Sequence, residues 1–188
     1  MPREIEVKVP CPDLDAVRQR LLAFGAVTSA DGLERNIVFD TPDHSLRAAD
    51  SLLRLRRYGE SVLTFKGPRA SSSDAVKSRE EIEFEVSDFD AASDVLARLG
   101  FHRVWAYEKR REKYLLADAV VCLDTVPALG SFVEIEAPDA AIVKLTLEKL
   151  GLSMENATPL TYLELFIKCC GTSGRTLPDM VFDDEETK

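Results

Sequence analysis

Near its start the chain reads Arg3-Glu4-Ile5-Glu6-Val7-Lys8-Val9. Ile5, Val7 and Val9 alternate with Glu4, Glu6 and Lys8. Successive side chains of a β-strand point to opposite faces, so one face is aliphatic and the other carries two carboxylates and an ammonium. A solvated outer face would explain one such strand by itself. The same pattern recurs in strand after strand, with the charges segregated by sign, and that repetition calls for another explanation.

Working outward, Pro10 and Pro12 end the first strand, and Asp13 caps a helix through about Phe24 with Leu14, Val17, Leu21 and Leu22 on one face. A second strand is predicted over 34–40, followed by a helical turn opened by Thr41-Pro42-Asp43. Residues 51–58 and 61–67 form a hairpin across Gly59-Glu60, and 67–74 form a Ser-rich polar loop. Residues 78–87 alternate Arg79, Glu81, Glu83 and Glu85 with Ile82, Phe84 and Val86. A helix over 88–99 precedes three strands, at about 107–116, 119–126 and 131–137. Helices over 139–150 and 160–170 close the folded part. The expected class is α+β: an eight-stranded antiparallel β-barrel with flanking helices. The expected organisation is one domain over 1–170 and an acidic, flexible tail over 171–188.

One alternation class per strand collects a charged face. It comprises Glu4, Glu6 and Lys8; Arg54 and Arg56; Thr64 and Lys66; Arg79, Glu81 and Glu83; Lys109 and Arg111; Asp124; and Glu134 and Glu136. Leu53, Leu55, Leu63, Phe65, Ile82, Phe84, Val133 and Ile135 fall on the other class, suited to packing against helices. Enclosing many like charges costs energy unless ligands offset it. Carboxylates at i, i+2 spacing on neighbouring strands suit a hard divalent cation with oxygen ligands. A set of Arg and Lys suits a polyphosphate, because guanidinium forks onto phosphate oxygens and ammonium supplies a compact charge. Together they point to a metal–triphosphate ligand; the competing reading is an interior of mutually neutralising ion pairs.

Composition narrows the field. A net charge of −9, from 24 basic and 33 acidic residues, argues against a nucleic-acid surface. No apolar run approaches the roughly 20 residues of a membrane span, and a strand beginning this early leaves no room for a signal peptide. Cys11, Cys122, Cys169 and Cys170 form no C-x-x-C pair, and His44 and His102 lack zinc-site spacing. Four reduced thiols in a cytoplasmic protein is the expectation.

These segments resemble the CYTH superfamily, also called triphosphate tunnel metalloenzymes. Glu4-Ile5-Glu6-Val7-Lys8 matches its E-x-E-x-K signature. Leu53-Arg54-Leu55-Arg56, Leu63-Thr64-Phe65-Lys66-Gly67-Pro68, Glu81-Ile82-Glu83 and Lys109-Arg110-Arg111 resemble its later strands in order, as do Leu123-Asp124 and Leu129 to Glu136. The resemblance covers about residues 3–166 and implies a charged tunnel with Mg²⁺ or Mn²⁺ as cofactor. It implies Glu4, Glu6 and Glu136 as metal ligands with Glu134 and Asp124 beside them, and Glu4, Glu6 and Lys8 as the catalytic group. Lys8, Arg54, Arg56, Lys66, Lys109 and Arg111 would hold the triphosphate, supported by Glu81 and Glu83. The chain departs from the family in its second strand, where neutral Asn36 stands in place of an acidic residue. Val38-Phe39-Asp40-Thr41-Pro42 and Thr161 to Leu165 look most like class IV adenylate cyclases, which suggests a homodimer. Three readings stay open at this point: a cyclase making cyclic AMP and pyrophosphate from ATP, a triphosphatase acting on inorganic or thiamine triphosphate, and a non-catalytic nucleotide or polyphosphate binder.

Overall fold

A computed structural model describes residues 5–68, 80–170 and 178–183. Its strands are β1 (Ile5–Pro10), β2 (Val27–Asp40), β3 (Leu52–Tyr58), β4 (Glu60–Lys66), β5 (Glu81–Val86), β6 (His102–Leu116), β7 (Ala119–Val126) and β8 (Gly130–Ala137). Its helices are α1 (Leu14–Ala23), α2 (Ser45–Ala48), α3 (Phe89–Arg98), α4 (Ala140–Leu150) and α5 (Tyr162–Cys170). The eight strands form one sheet in the order β1-β8-β7-β6-β2-β3-β4-β5. The class is α+β, as expected.

The described residues show the eight strands as an open hydrogen-bonded order and not the closed barrel expected from the sequence. β1 and β5 end the hydrogen-bonded order, and no pairing joins them among the described residues. The edge of β1 turned away from β8 is met by Thr158, whose N–H donates to the Lys8 carbonyl at 2.8 Å.

Two compact units are distinguished, one of residues 5–32 and 110–170, the other of 33–68, 80–109 and 178–183. In the first, the apolar alternation class of β1, β8, β7 and the end of β6 is covered by α1 and α4. Val7, Val9, Val121, Leu123, Val133 and Ile135 meet Val17, Leu21, Val143, Leu147 and Leu150 there. Asp13 and Asp139 start those helices by accepting backbone N–H groups, and Gly151, at φ +68°, ends α4. Leu22 and Leu145, expected on the buried faces, are exposed: each helix has more apolar residues than one stripe can bury.

In the second unit, α3 packs on β3, and Phe39, Leu53, Leu55, Phe89 and Leu96 form the core. Gly59, at φ +67°, makes the β3–β4 turn. The apolar face continues onto β5, but there Ile82 and Phe84 are exposed rather than packed against a helix. α3 is ten residues long and meets β3, two strands away from β5. Residues 178–183 lie along β6. Met180 bridges to Tyr107 in parallel and is buried, Trp105 Nε1 donates to the Pro178 carbonyl, and Arg103 pairs with Asp179.

Candidate functional site

Strand register in the first unit arranges its polar class in rows. Glu6 stands opposite Glu136, which stands opposite Val120. The next row reads Lys8, Glu134, Cys122 and Lys113, and the one after it Pro10, Phe132, Asp124 and Arg111. Lys8 Nζ lies 2.9 Å from Glu134 and 3.7 Å from Glu6. Arg111 forks onto Asp124, through Nε at 2.6 Å and Nη2 at 2.5 Å, and also reaches Glu134. Asp124 is 0% exposed, so this fork is a deep ion pair rather than a surface one.

One residue joins this set that the charged-face reading did not include. The Tyr162 ring lies 4.2 Å from Lys8 Nζ, its hydroxyl donates to Asp124 at 2.8 Å, and it packs edge-on against Phe132. Burial, and then the charges of Glu134 and Asp124, push the phenol well above its ordinary pKa, so it stays a neutral donor. The placement has a sequence signal: Thr161-x-x-Glu164 is a capping box, and Thr161 and Glu164 do exchange hydrogen bonds at the start of α5. Burial drives the Cys122 thiol, in the middle of the row of Lys8 and Glu134, up to about 12, which removes it as a nucleophile.

In the second unit the rows read Val38, Arg54, Thr64 and Glu83, then Asn36, Arg56, Val62 and Glu85, with Leu52, Lys66 and Glu81 beyond. Lys66 Nζ bonds Glu81 at 2.6 Å, Arg54 lies 3.7 Å from Glu83, and Thr64 donates to Glu83 at 2.7 Å. Burial alone would raise the Glu83 carboxyl pKa; Thr64, Arg56, Arg54 and Lys66 outweigh it and hold it below the ordinary value. Burial likewise opposes charge on Arg54, yet Tyr107, Glu34 and Glu83 keep it firmly protonated. Tyr107, stacked on Trp105 at 4.9 Å, meets Arg54 through its hydroxyl. Glu34, which the sequence placed in a strand but gave no role, is 1% exposed and 3.5 Å from Lys109.

The residues expected to act together therefore fall into two groups. Glu6, Lys8, Arg111, Asp124, Glu134 and Glu136 are gathered in the first unit, and Arg54, Arg56, Lys66, Glu81, Glu83 and Lys109 in the second. Glu4, Arg79 and residues 69–74 of the Ser-rich loop lie outside the described residues, as do 171–177 and 184–188 of the tail. In both groups cations face carboxylates, so ion pairing accounts for much of the charge.

No group of three or more His, Cys, Asp or Glu side chains stands ready to hold a metal among the described residues. Asp124 and Glu134 are engaged by Arg111 and Lys8. Glu6, 3.7 Å from Lys8, stands directly opposite Glu136 across β1 and β8. Like charges directly opposite on neighbouring strands destabilise the pair. A hard divalent cation would relieve that repulsion, and carboxylate oxygens are the donors it prefers. Glu6 and Glu136 are the carboxylates of this unit that could contribute oxygen donors to such a cation.

A family model for the CYTH domain matches residues 2–182. The chain belongs to the CYTH family. It is 31% identical over 172 residues to the Methanocaldococcus jannaschii protein named putative adenylate cyclase MJ0240, covering 86% of this chain and 97% of that one. It is 33% identical over 136 residues to adenylate cyclase CyaB of Aeromonas hydrophila, covering 70% and 67% respectively. The structure of Hippeastrum HpAC1, described as a putative adenylyl cyclase with a dominant triphosphatase activity, matches with a TM-score of 0.66 at 20% identity. That match covers 92% of this CYTH chain and 97% of HpAC1, and is a likeness of fold.

Proposed function

We propose that this CYTH protein is a metal-dependent adenylate cyclase of the class IV type, converting ATP to cyclic AMP and pyrophosphate. The observation that carries the reading is the pair Glu6–Glu136, set opposite each other with Lys8 and Arg111 on the same strand face. The named cyclase relatives support it. Closure of the sheet into a tunnel belongs to this reading and not to the fold described above.

Glu6 and Glu136, with Glu4, would hold Mg²⁺ or Mn²⁺, which supplies positive charge against phosphoryl oxygens. Arg54, Arg56, Lys66 and Lys109 bind the triphosphate and offset the charge that grows on the departing pyrophosphate. Glu81 and Glu83 orient Lys66 and Arg54, respectively. Lys8 and Arg111, each fixed by a buried carboxylate, present charge at defined positions without reorganising. The ribose 3′-hydroxyl gives up its proton to solvent as its oxygen bonds the α-phosphorus and the bond to pyrophosphate breaks. The reading places the protein in the cytoplasm, where ATP is found, and takes its active form as a homodimer. No helix among the described residues is long and apolar enough to cross a membrane.

Triphosphate hydrolysis is the second reading, because HpAC1 shares this fold and fold does not fix the reaction. One experiment separates the two. ATP, thiamine triphosphate and inorganic triphosphate are each incubated with the protein and Mg²⁺ or Mn²⁺, and cyclic AMP, pyrophosphate and phosphate are resolved. Cyclic AMP with matching pyrophosphate is expected. Phosphate release from inorganic triphosphate with no cyclic AMP overturns the cyclase reading, and no product with any substrate leaves only the binder. Glu6→Gln and Glu136→Gln are expected to abolish turnover while the fold persists.

A further inference from the structure

Arg111 and Arg54 use the same edge of the guanidinium in opposite ways. Arg111 fills its Nε–Nη2 edge with the Asp124 carboxylate. Arg54 leaves that edge open. Its Nε is buried with no hydrogen-bond partner among the described residues, and Nη2 stands 3.7 Å from Glu83, too far for a hydrogen bond. Among the described residues the guanidinium makes one hydrogen bond, at its other end, where Nη1 donates to the Tyr107 hydroxyl at 3.5 Å. Tyr107 is itself held in place. Its ring stacks on Trp105 at 4.9 Å, and Trp105 donates to the Pro178 carbonyl. On either side of it along β6, Glu108 N–H donates to the Met180 carbonyl and the Ala106 carbonyl accepts from Met180 N–H. Glu83 is fixed as well, by Thr64 at 2.7 Å. A two-bond fork with a carboxylate is the strongest contact open to a guanidinium, and a small swing of Arg54 toward Glu83 would form it.

We propose that Tyr107 is a positioning residue that keeps the Nε–Nη2 edge of Arg54 from closing on Glu83 and so leaves it open for a phosphate group. The inference rests on the reading of Arg54 as a triphosphate ligand. Two effects compete when the Tyr107 hydroxyl is removed. An Nη1 donor is freed, which by itself favours a phosphate. The pull of Glu83 is also left unopposed, and a fork formed there occupies the edge that a phosphate needs. The second effect wins, because the fork edge offers two parallel bonds and the freed donor only one. Phe differs from Tyr by one oxygen and no formal charge, so a general change in potential does not enter. The two effects have opposite signs in binding, which makes the test sharp.

Binding of inorganic triphosphate to the full chain is measured by calorimetry in EDTA, which prevents metal-dependent turnover. Tyr107→Phe keeps the ring and is expected to weaken binding about threefold or more, the worth of one hydrogen bond read as affinity. In the Glu83→Gln background, where a charged fork cannot form, the same change is expected to cost nothing, as for residues that act through one contact. A side chain that only supports the fold would lower the melting temperature and leave the affinity of the folded protein unmoved. Unchanged or tighter binding by Tyr107→Phe, or an equal loss with and without the Glu83 carboxylate, overturns the inference. Arg54→Met tests the reading beneath it. Unchanged binding by Arg54→Met overturns the phosphate-ligand reading, and the inference with it, whereas a loss there with none in Tyr107→Phe overturns the inference alone. If Tyr107→Phe does not fold, Glu83→Asp takes its place. It draws the competing carboxylate back at constant charge and is expected to tighten binding only while Arg54 is present. Unchanged or weaker binding, or the same gain in the Arg54→Met background, overturns the inference.

Discussion

Replacing Arg111 with Met takes the guanidinium away from two buried carboxylates while keeping a side chain of similar reach. Arg111 makes two bonds to Asp124 and one to Glu134, and both carboxylates are at most 5% exposed. Removing one partner of a buried ion pair costs about 3–5 kcal/mol, because the partner left behind stays desolvated. Part of the compensation survives: Lys8 still holds Glu134 at 2.9 Å, and Tyr162 still donates to Asp124 at 2.8 Å. The lower end, about 3 kcal/mol, is therefore expected. At about 2–4 °C per kcal/mol for a chain of this size, the melting temperature should fall by about 6–12 °C. Arg111→Lys should lie between, since one ammonium cannot fork over Asp124 and reach Glu134 together. Thermal melts and urea titrations of the ligand-free proteins decide it. If Arg111→Met melts within a degree of the parent, or higher, the buried pairs do not hold this unit together and the argument from them fails.

Arg18 holds the Glu112 carboxyl below its ordinary pKa through a bidentate contact, against the opposing effect of burial. A lowered folded pKa gives stability above the unfolded value that is lost as pH falls through the folded one. The stability gap between the parent and Arg18→Met should thus be present at pH 6–7, at about 1 kcal/mol, and vanish as the solution is acidified below about pH 4. Melts across that range check it. Ellman's reagent should titrate Cys169 and Cys170 in the native protein and reach Cys11 and Cys122 only after unfolding, since the first two are exposed and burial raises the other pair's pKa values. Fast reaction of a third native thiol refutes that placement. Truncation after residue 177 should shift the emission of the single tryptophan to the red and lower the melting temperature, because Trp105 is buried and bonded to Pro178. Unchanged emission would detach the segment from β6.

The charged rows of the first unit are legible in the sequence because Glu6 and Lys8 alternate with Ile5, Val7 and Val9, and a period of two leaves only one register that buries the aliphatic face. Other features leave weaker marks. β2 begins at Val27, seven residues earlier than expected, because Ser29, Asp31 and Gly32 read as turn chemistry and only the neighbouring strand holds them extended. Glu34 is obscured by the same polar run, and only its alternation with Asn36 and Val38 marks it as facing the other charges. The division into two units leaves no mark, since β2 and β6 pass from one to the other with no linker. The docking of Met180 and Phe182 is equally hidden, because two apolar residues in an acidic stretch carry no period.

The pairing of β1 with β8 has a consequence for synthesis. Ile5 finds its partner at Ala137, so the first strand leaves the ribosome long before the segment that completes it exists. Elongation at about 5–20 residues per second puts roughly 7–26 seconds between the two, and such distant contacts also slow folding after release. An extended Ile-x-Val-x-Val strand with open edges is a template for adding other chains during that interval. Glu6 and Lys8 interrupt its apolar residues at every second position and give the nascent strand a face that other strands pair with poorly. Substituting both by apolar residues should therefore reduce soluble yield on rapid expression, a cost set during translation and independent of any ligand.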